Sequence, residues 1–68
     1  MITNLLKDWT ITKRYGEVVF IGKIYNDIKR RFDDGDEIIT SRVLKVDFVN
    51  GVVETRNSVY HLEVLYEN

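Results

Sequence analysis

Arginine, hydroxyl and amide side chains recur in the polar segments of this 68-residue chain, and together they could bind an anion. A planar guanidinium donates two parallel hydrogen bonds to a phosphate or carboxylate, and hydroxyl and amide groups supply neutral donors. If the polar segments lie on one rim of the fold, they could bind a phosphorylated small molecule or the end of an RNA. The alternative is that each cation pairs with the acidic residues beside it. The candidate binding residues are Arg30, Arg31, Thr40, Ser41, Arg42, Arg56, Asn57 and Ser58.

Other chemistries have weaker support in the sequence. Four acidic residues surround Gly35, but their spacing differs from that of an EF-hand calcium loop, and aspartate beside glycine is typical of a solvated turn. His61 is the single histidine, and neither Ser41 nor Ser58 lies in a nucleophile elbow. The sequence therefore predicts a protein that is not an enzyme and that uses no cofactor and no metal.

The composition narrows the class of protein. The chain has no cysteine, which excludes disulfides and thiolate metal sites, and its formal net charge is −1. Its pI of about 5.7 lies far below the value above about 9 that is typical of a nucleic-acid-binding domain. No apolar run approaches the roughly 20 residues of a membrane-spanning helix. We expect one domain over residues 1–68, located in the cytoplasm of a host cell and making no membrane contact, with nucleic acid a less favoured partner.

Two tight turns in the second half of the chain predict a C-terminal β-meander. Asn50-Gly51 separates two segments of alternating polarity and is a strong signal for a two-residue hairpin turn. That turn would place Phe48 opposite Val53. A second turn at Asn57-Ser58 would place Thr55 opposite Tyr60. Both turns keep one apolar face continuous, which supports this register.

The first half of the chain predicts another hairpin, which turns at Tyr15-Gly16. The returning strand, residues 17–25, is apolar on both faces, with Phe20 and Ile24 on one side and Val19 on the other. Such a strand must be covered twice. A 68-residue chain buries only about 60% of the surface that its unfolded form exposes, so it has little material for two cores. Either the sheet curls into a small barrel, or a second copy covers the other face. We therefore also expect a homo-oligomer.

The intervening segments leave alternatives open. Residues 1–8 could form a helical turn or a strand. Within residues 26–36, Asp27 could cap a single helical turn, although a strand that turns at Asp34-Gly35 is favoured. Residues 37–49 are read as one long strand or as two strands separated by a bulge near Ser41. The fold class predicted from these elements is all-β: an SH3-like small barrel or a strongly curled, five-stranded antiparallel sheet.

Two segments of the chain resemble a pattern found in small phage and prophage proteins. The pattern is an aromatic residue, an Asp-Gly turn and a Thr-Ser pair in residues 32–41, followed by Thr-x-Asn-Ser-x-Tyr-x-Leu in residues 55–62. The resemblance implies an accessory protein that blunts host defence, either by binding a host defence protein or by sequestering a nucleotide signal. Two other functions remain open: a nucleic-acid-associated regulator built on a small barrel, and a structural component of a virion or its assembly.

Overall fold

The computed structural model describes residues 2–63, which form six β-strands and no helix. Within this range, no helix has the length and hydrophobicity needed to cross a membrane. The strands are β1 (Leu5–Arg14), β2 (Glu17–Tyr25), β3 (Asp36–Ile39), β4 (Val43–Asp47), β5 (Val52–Thr55) and β6 (Val59–Leu62). The all-β prediction is therefore confirmed.

All six strands belong to one sheet, in the order β3-β2-β1-β6-β5-β4. The prediction of five antiparallel strands is wrong in two respects, because there are six strands and β1 runs parallel to β6 through the pairs Leu5–His61 and Leu6–Leu62. The sheet is not closed into a barrel. It is curled, since β4 contacts β2 although three strands lie between them in the sheet. The SH3-like barrel in particular is not confirmed.

The N-terminal hairpin forms as predicted. Arg14 pairs with Glu17 around the Tyr15-Gly16 turn, and Gly16 has the positive φ of 78° that such a turn requires. The open alternative for residues 1–8 resolves in favour of a strand, because β1 begins at Leu5. A bulge in β1, between Lys7 and Thr10, interrupts the pairing of β1 with β2.

The core lies on the inner face of the curled sheet. Leu6, Phe20, Ile24 and Val53 are fully buried there, and Trp9 packs against Phe20 with a ring separation of 5.4 Å. The opposite face of β2 is partly covered within the single chain, because Val19 is only 5% exposed and Ile21 and Tyr25 are half-buried. The two-sided apolar character of β2 therefore does not by itself require a second copy.

The C-terminal meander is present, but both of its predicted registers are wrong by two residues. Val53 lies opposite Val46 on one side and opposite Tyr60 on the other. The first connection is a four-residue loop, residues 48–51, because Asn50 donates from its backbone N–H to Asp47 Oδ1 at 3.1 Å. In the second connection, between β5 and β6, the central residues of the turn are Arg56 and Asn57 instead of Asn57 and Ser58. A shift by two preserves the side-chain faces, so the predicted inward residues of β5 and β6 remain buried.

The polar connection between β2 and β3 contains no strand, so the favoured strand over residues 28–32 is wrong. The alternative is met only in part, because Asp27 caps a turn but the turn is not helical: Arg30 has a φ of 54°, and Asp27 Oδ2 accepts hydrogen bonds from the backbone N–H groups of Arg31 at 2.7 Å and Phe32 at 3.2 Å. Further along, the chain leaves β3 after Ile39 and enters β4 at Val43. Of the two alternatives left open for residues 37–49, the structure has the two strands, but they lie at opposite edges of the sheet and are not joined by a bulge.

Candidate functional site

The structure brings two of the predicted polar segments together at one end of the sheet. The backbone N–H of Arg56 donates to the carbonyl oxygen of Arg42 at 3.0 Å, and that of Asn57 donates to Ser41 Oγ at 3.2 Å. Ser41 Oγ also lies 3.1 Å from Thr55 Oγ1. We call residues 40–42 and 55–58 the polar rim. The rim is therefore one hydrogen-bonded unit built from two distant parts of the chain.

The turn over residues 27–31 is attached to the polar rim. Lys29 Nζ donates to the carbonyl oxygen of Asn57 at 2.7 Å, so the third predicted basic segment also reaches this end of the molecule. Within this turn, Arg30 has a φ of 54°, a left-handed conformation that is uncommon for a residue other than glycine. The backbone N–H of Arg30 donates to the carbonyl oxygen of Asp27 at 2.9 Å, which closes the turn.

Arg31 forms an ion pair within this turn. Its guanidinium donates to both carboxylate oxygens of Asp27, whose side chain is fully buried. Burial alone would raise the pKa of the Asp27 carboxyl, but the hydrogen bonds and the charge of Arg31 outweigh it and hold that pKa below its ordinary value. The hydrogen bond with Asp27 in turn raises the pKa of Arg31. The predicted ligand-binding role of Arg31 thus competes with a structural ion pair.

Two of the predicted neutral donors face the interior instead of an open surface. Thr40 is 4% exposed; its hydroxyl accepts from the backbone N–H of Phe20 and donates to the carbonyl oxygen of Ser41. Ser58 is 9% exposed, and its hydroxyl has no hydrogen-bond partner within residues 2–63. A buried hydroxyl without a partner costs free energy, commonly about 1–3 kcal/mol, unless a water or another polar group satisfies it.

Thr55 is the residue of this site that the sequence analysis missed. It is 4% exposed, and its hydroxyl contacts Ser41 Oγ, donates to the carbonyl oxygen of Ser58 and accepts from the backbone N–H of Ser58. The residue type gave a general signal, because threonine hydroxyls bond to nearby backbone groups at turns. Thr55 therefore fixes the shape of the turn that carries Arg56.

Three guanidinium groups around the rim remain available to bind an anion. Within residues 2–63, the side chains of Arg30, Arg42 and Arg56 form no hydrogen bond or ion pair, and all three residues are exposed. The bond between the Arg56 N–H and the Arg42 carbonyl places these two arginines directly opposite each other, one position beyond the Val43–Thr55 pair. Like charges at directly opposite positions destabilise a sheet. A bound anion would convert that repulsion into two attractive contacts.

The acidic turn around Gly35 uses its carboxylates to hold backbone groups. Asp34 Oδ1 accepts from the N–H of Asn26 at 2.7 Å, and Asp36 Oδ2 accepts from the N–H of Asp33 at 3.0 Å. Across residues 2–63, no three Asp, Glu or His side chains are grouped so that they could hold a metal ion. These contacts support the interpretation of this segment as a solvated turn.

A concave surface lies on the outer face of the meander, beside the rim. It is a depression of about 230 Å³ lined by Lys45, Asp47, Asn50, Val52 and Glu54. Hydrogen bonds from Asn50 lower the pKa of Asp47, and Lys45 lies opposite Glu54. The lining carries one cation, Lys45, and two carboxylates, Asp47 and Glu54, so this depression has an excess of negative charge.

The comparison with known proteins places the chain in no family. No family model matches it, and no curated protein or solved structure is detectably similar to it.

Proposed function

We propose that this chain is a non-enzymatic binding protein that holds an anionic group of its partner at the polar rim. The observation that carries the proposal is the position of Arg42 directly across from Arg56, with both side chains exposed and neither paired within residues 2–63. Exposed arginines at opposite positions gain little from the fold itself, whereas a phosphate or carboxylate between them accepts charge-assisted hydrogen bonds from both.

The neighbouring contacts favour a rigid site. One backbone–backbone hydrogen bond joins Arg56 to Arg42, and the Ser41 hydroxyl adds two more by accepting from the N–H of Asn57 and donating to Thr55 Oγ1. A site held by its scaffold loses less conformational entropy when it binds. Lys29 adds a third cation, because its ammonium group is anchored on the Asn57 carbonyl beside Arg56.

The class of partner rests on the resemblance to small phage accessory proteins. In this proposal the chain acts in the interior of the host cell, where it binds either a host defence protein with an acidic or phosphorylated surface or a phosphorylated signalling molecule. The curled sheet would then serve as a scaffold of SH3-like type, opened between its edge strands β3 and β4.

A thermal-shift screen with inorganic phosphate, mononucleotides and cyclic dinucleotides tests the small-molecule version. A ligand at a hundred times its dissociation constant stabilises a fold by about 2.7 kcal/mol. For a domain of this size, each kcal/mol raises the Tm by roughly 4–8 °C. We therefore expect a shift of more than about 10 °C for a true ligand, and its loss when Arg42→Gln and Arg56→Gln are combined.

A matched control removes the same charge elsewhere. Lys23→Gln combined with Lys45→Gln also deletes two exposed cations, but neither residue belongs to the rim. Affinity purification from host lysate, with the two double variants side by side, tests the protein version. Equal loss of binding in both double variants would indicate nonspecific charge attraction and refute the rim. Retention of the partner by the Arg42 and Arg56 double variant would refute it as well.

The salt dependence of binding separates this proposal from a nucleic-acid regulator. Contacts with a nucleic-acid backbone release condensed counterions, so the affinity falls steeply and log-linearly with salt concentration. A single phosphate or carboxylate held by two arginines gives a shallow dependence. A steep slope with RNA or DNA fragments would replace the proposed function with the nucleic-acid alternative.

A further inference from the structure

One edge of the N-terminal hairpin lacks a partner in the described chain. β6 pairs with β1 only at Leu5 and Leu6, and the backbone of Glu63 adds one further bond to the Leu6 carbonyl. Within residues 2–63, no strand pairs with the same edge of β1 from Thr10 to Arg14. An unpaired strand edge presents a row of free N–H and C=O groups and is a template for pairing with another chain.

The hydrogen bonds of Phe20 show which backbone groups of β1 face that edge. Phe20 lies opposite Ile11, yet its N–H and C=O both bond to Thr40 on the far side of β2, at 3.0 and 2.9 Å. In an antiparallel ladder, opposite residues exchange either both backbone bonds or neither. Ile11 and Phe20 therefore exchange neither, and the N–H and C=O of Ile11 point outward, as do those of Lys13 two residues further on.

The sequence of this edge is complementary to itself in the antiparallel direction. If two copies meet with Ile11 opposite Ile11, then Thr10 faces Thr12 of the other copy on both sides of the centre. Asp8 and Trp9 lie outside this regular part of the edge, because they fall in the β1 bulge, where Asp8 has a φ of 49° and pairs with Lys23. Paired isoleucines and paired threonines are favourable cross-strand pairs. The Ile11 side chain is 45% exposed in the single chain, so the pairing would bury apolar surface.

Neighbouring registers lack this match. Moving the centre to Thr12 places Ile11 opposite Lys13 and Thr10 opposite Arg14. Moving it to Thr10 places Ile11 opposite Trp9, inside the bulge of β1. We propose that the chain forms a two-fold symmetric homodimer by antiparallel pairing of β1 edges centred on Ile11, so that the two sheets become one. In this dimer the two Ile11 residues exchange both backbone hydrogen bonds across the two-fold axis.

Light scattering after gel filtration tests the dimer with the full chain. We expect a mass of twice the 8.1 kDa of the chain at micromolar concentration. Ile11→Lys places two like charges on the two-fold axis and should yield a monomer that remains folded. Ile39→Lys is the matched control, because Ile39 is 47% exposed on β3, an edge strand of the sheet. If the control dissociates the dimer and Ile11→Lys does not, the interface lies on β3 and the proposal is wrong.

Cross-linking tests the register. Because the chain has no cysteine, Thr10→Cys and Thr12→Cys chains can be prepared separately and mixed. Residues at non-hydrogen-bonded positions lie about 4.5 Å apart between Cα atoms, within the range for a disulfide. The mixture should cross-link rapidly, and either chain alone slowly. Equal rates would refute the register. A monomeric full chain whose Ile11 and Lys13 amides are protected from hydrogen exchange would show that the same chain covers the edge, which refutes the dimer.

Discussion

Replacement of Asp27 by alanine should destabilise the fold severely, because one buried carboxylate satisfies the backbone of an entire turn. Its side chain is fully buried and accepts from the N–H groups of Arg31 and Phe32 as well as from the Arg31 guanidinium. A hydrogen bond to a charged group contributes about 1.5–3 kcal/mol. The Arg31 side chain is 30% exposed and can regain water, so its share is about 0–1 kcal/mol.

Together these contributions predict a loss of about 3 kcal/mol on Asp27→Ala, since the two backbone bonds share one oxygen and do not add fully. The assay is urea unfolding at pH 7 followed by Trp9 fluorescence. Asp34→Ala is the control: Asp34 caps the N–H of Asn26 at 2.7 Å but is exposed, so water replaces it and the loss should stay within about 0.5–1 kcal/mol. If the two variants lose the same free energy, the assignment of a structural role to the buried carboxylate is refuted.

Two further predictions concern pH and packing. The pKa of Asp27 is lowered in the folded state, so its contribution to stability is fully present above the unfolded pKa of about 3.9 and is lost as the pH falls through the folded pKa. Urea unfolding at pH 7 and pH 3 should therefore show a larger decrease in the free energy of unfolding for the native chain than for Asp27→Asn. An alanine Cβ at position 22 would lie 2.8 Å from Leu6 Cγ, so Gly22→Ala should cost about 1–3 kcal/mol by overpacking. A Cβ at Gly16 meets no atom within 4 Å, so Gly16→Ala costs only the strain of the positive φ, about 1–2 kcal/mol. A larger loss at Gly16 than at Gly22 would contradict the packing argument.

The meander shows how far the hydrophobic pattern alone can determine a β-structure. Alternation specifies which side chains face inward, and those of β5 and β6 are buried as predicted. It does not distinguish registers that differ by two residues, because both present the same face to the core. The choice depends on the loop, where the Asp47 carboxylate caps Asn50 and extends the connection to four residues. The Asn-Gly pair located the turn but not its length.

The candidate site was predictable in composition but not in assembly. Repeated Arg, Ser, Thr and Asn residues marked both rim segments, and their proximity follows from the β4–β5 pairing, which places Val43 beside Thr55. The parallel contact between β1 and β6 was not predictable, because it joins the two ends of the described chain without a local turn signal. The exposure of individual polar groups could not be predicted from the sequence either. Thr40 has the residue type of a ligand donor, but its hydroxyl accepts from the backbone of β2.

The proposed rim and the proposed dimer edge occupy opposite sides of one hairpin. Phe20 on β2 bonds to Thr40 of the rim, whereas its partner Ile11 on β1 directs its backbone groups to the other side. Pairing of two β1 edges would therefore leave both rims uncovered and relate them by the two-fold axis. A partner with two anionic groups at a matching distance would then bind with avidity that a monomer lacks. Ile11→Lys should lower the affinity for such a partner while leaving the affinity for a single anion unchanged, and surface plasmon resonance at low and high ligand density can separate the two.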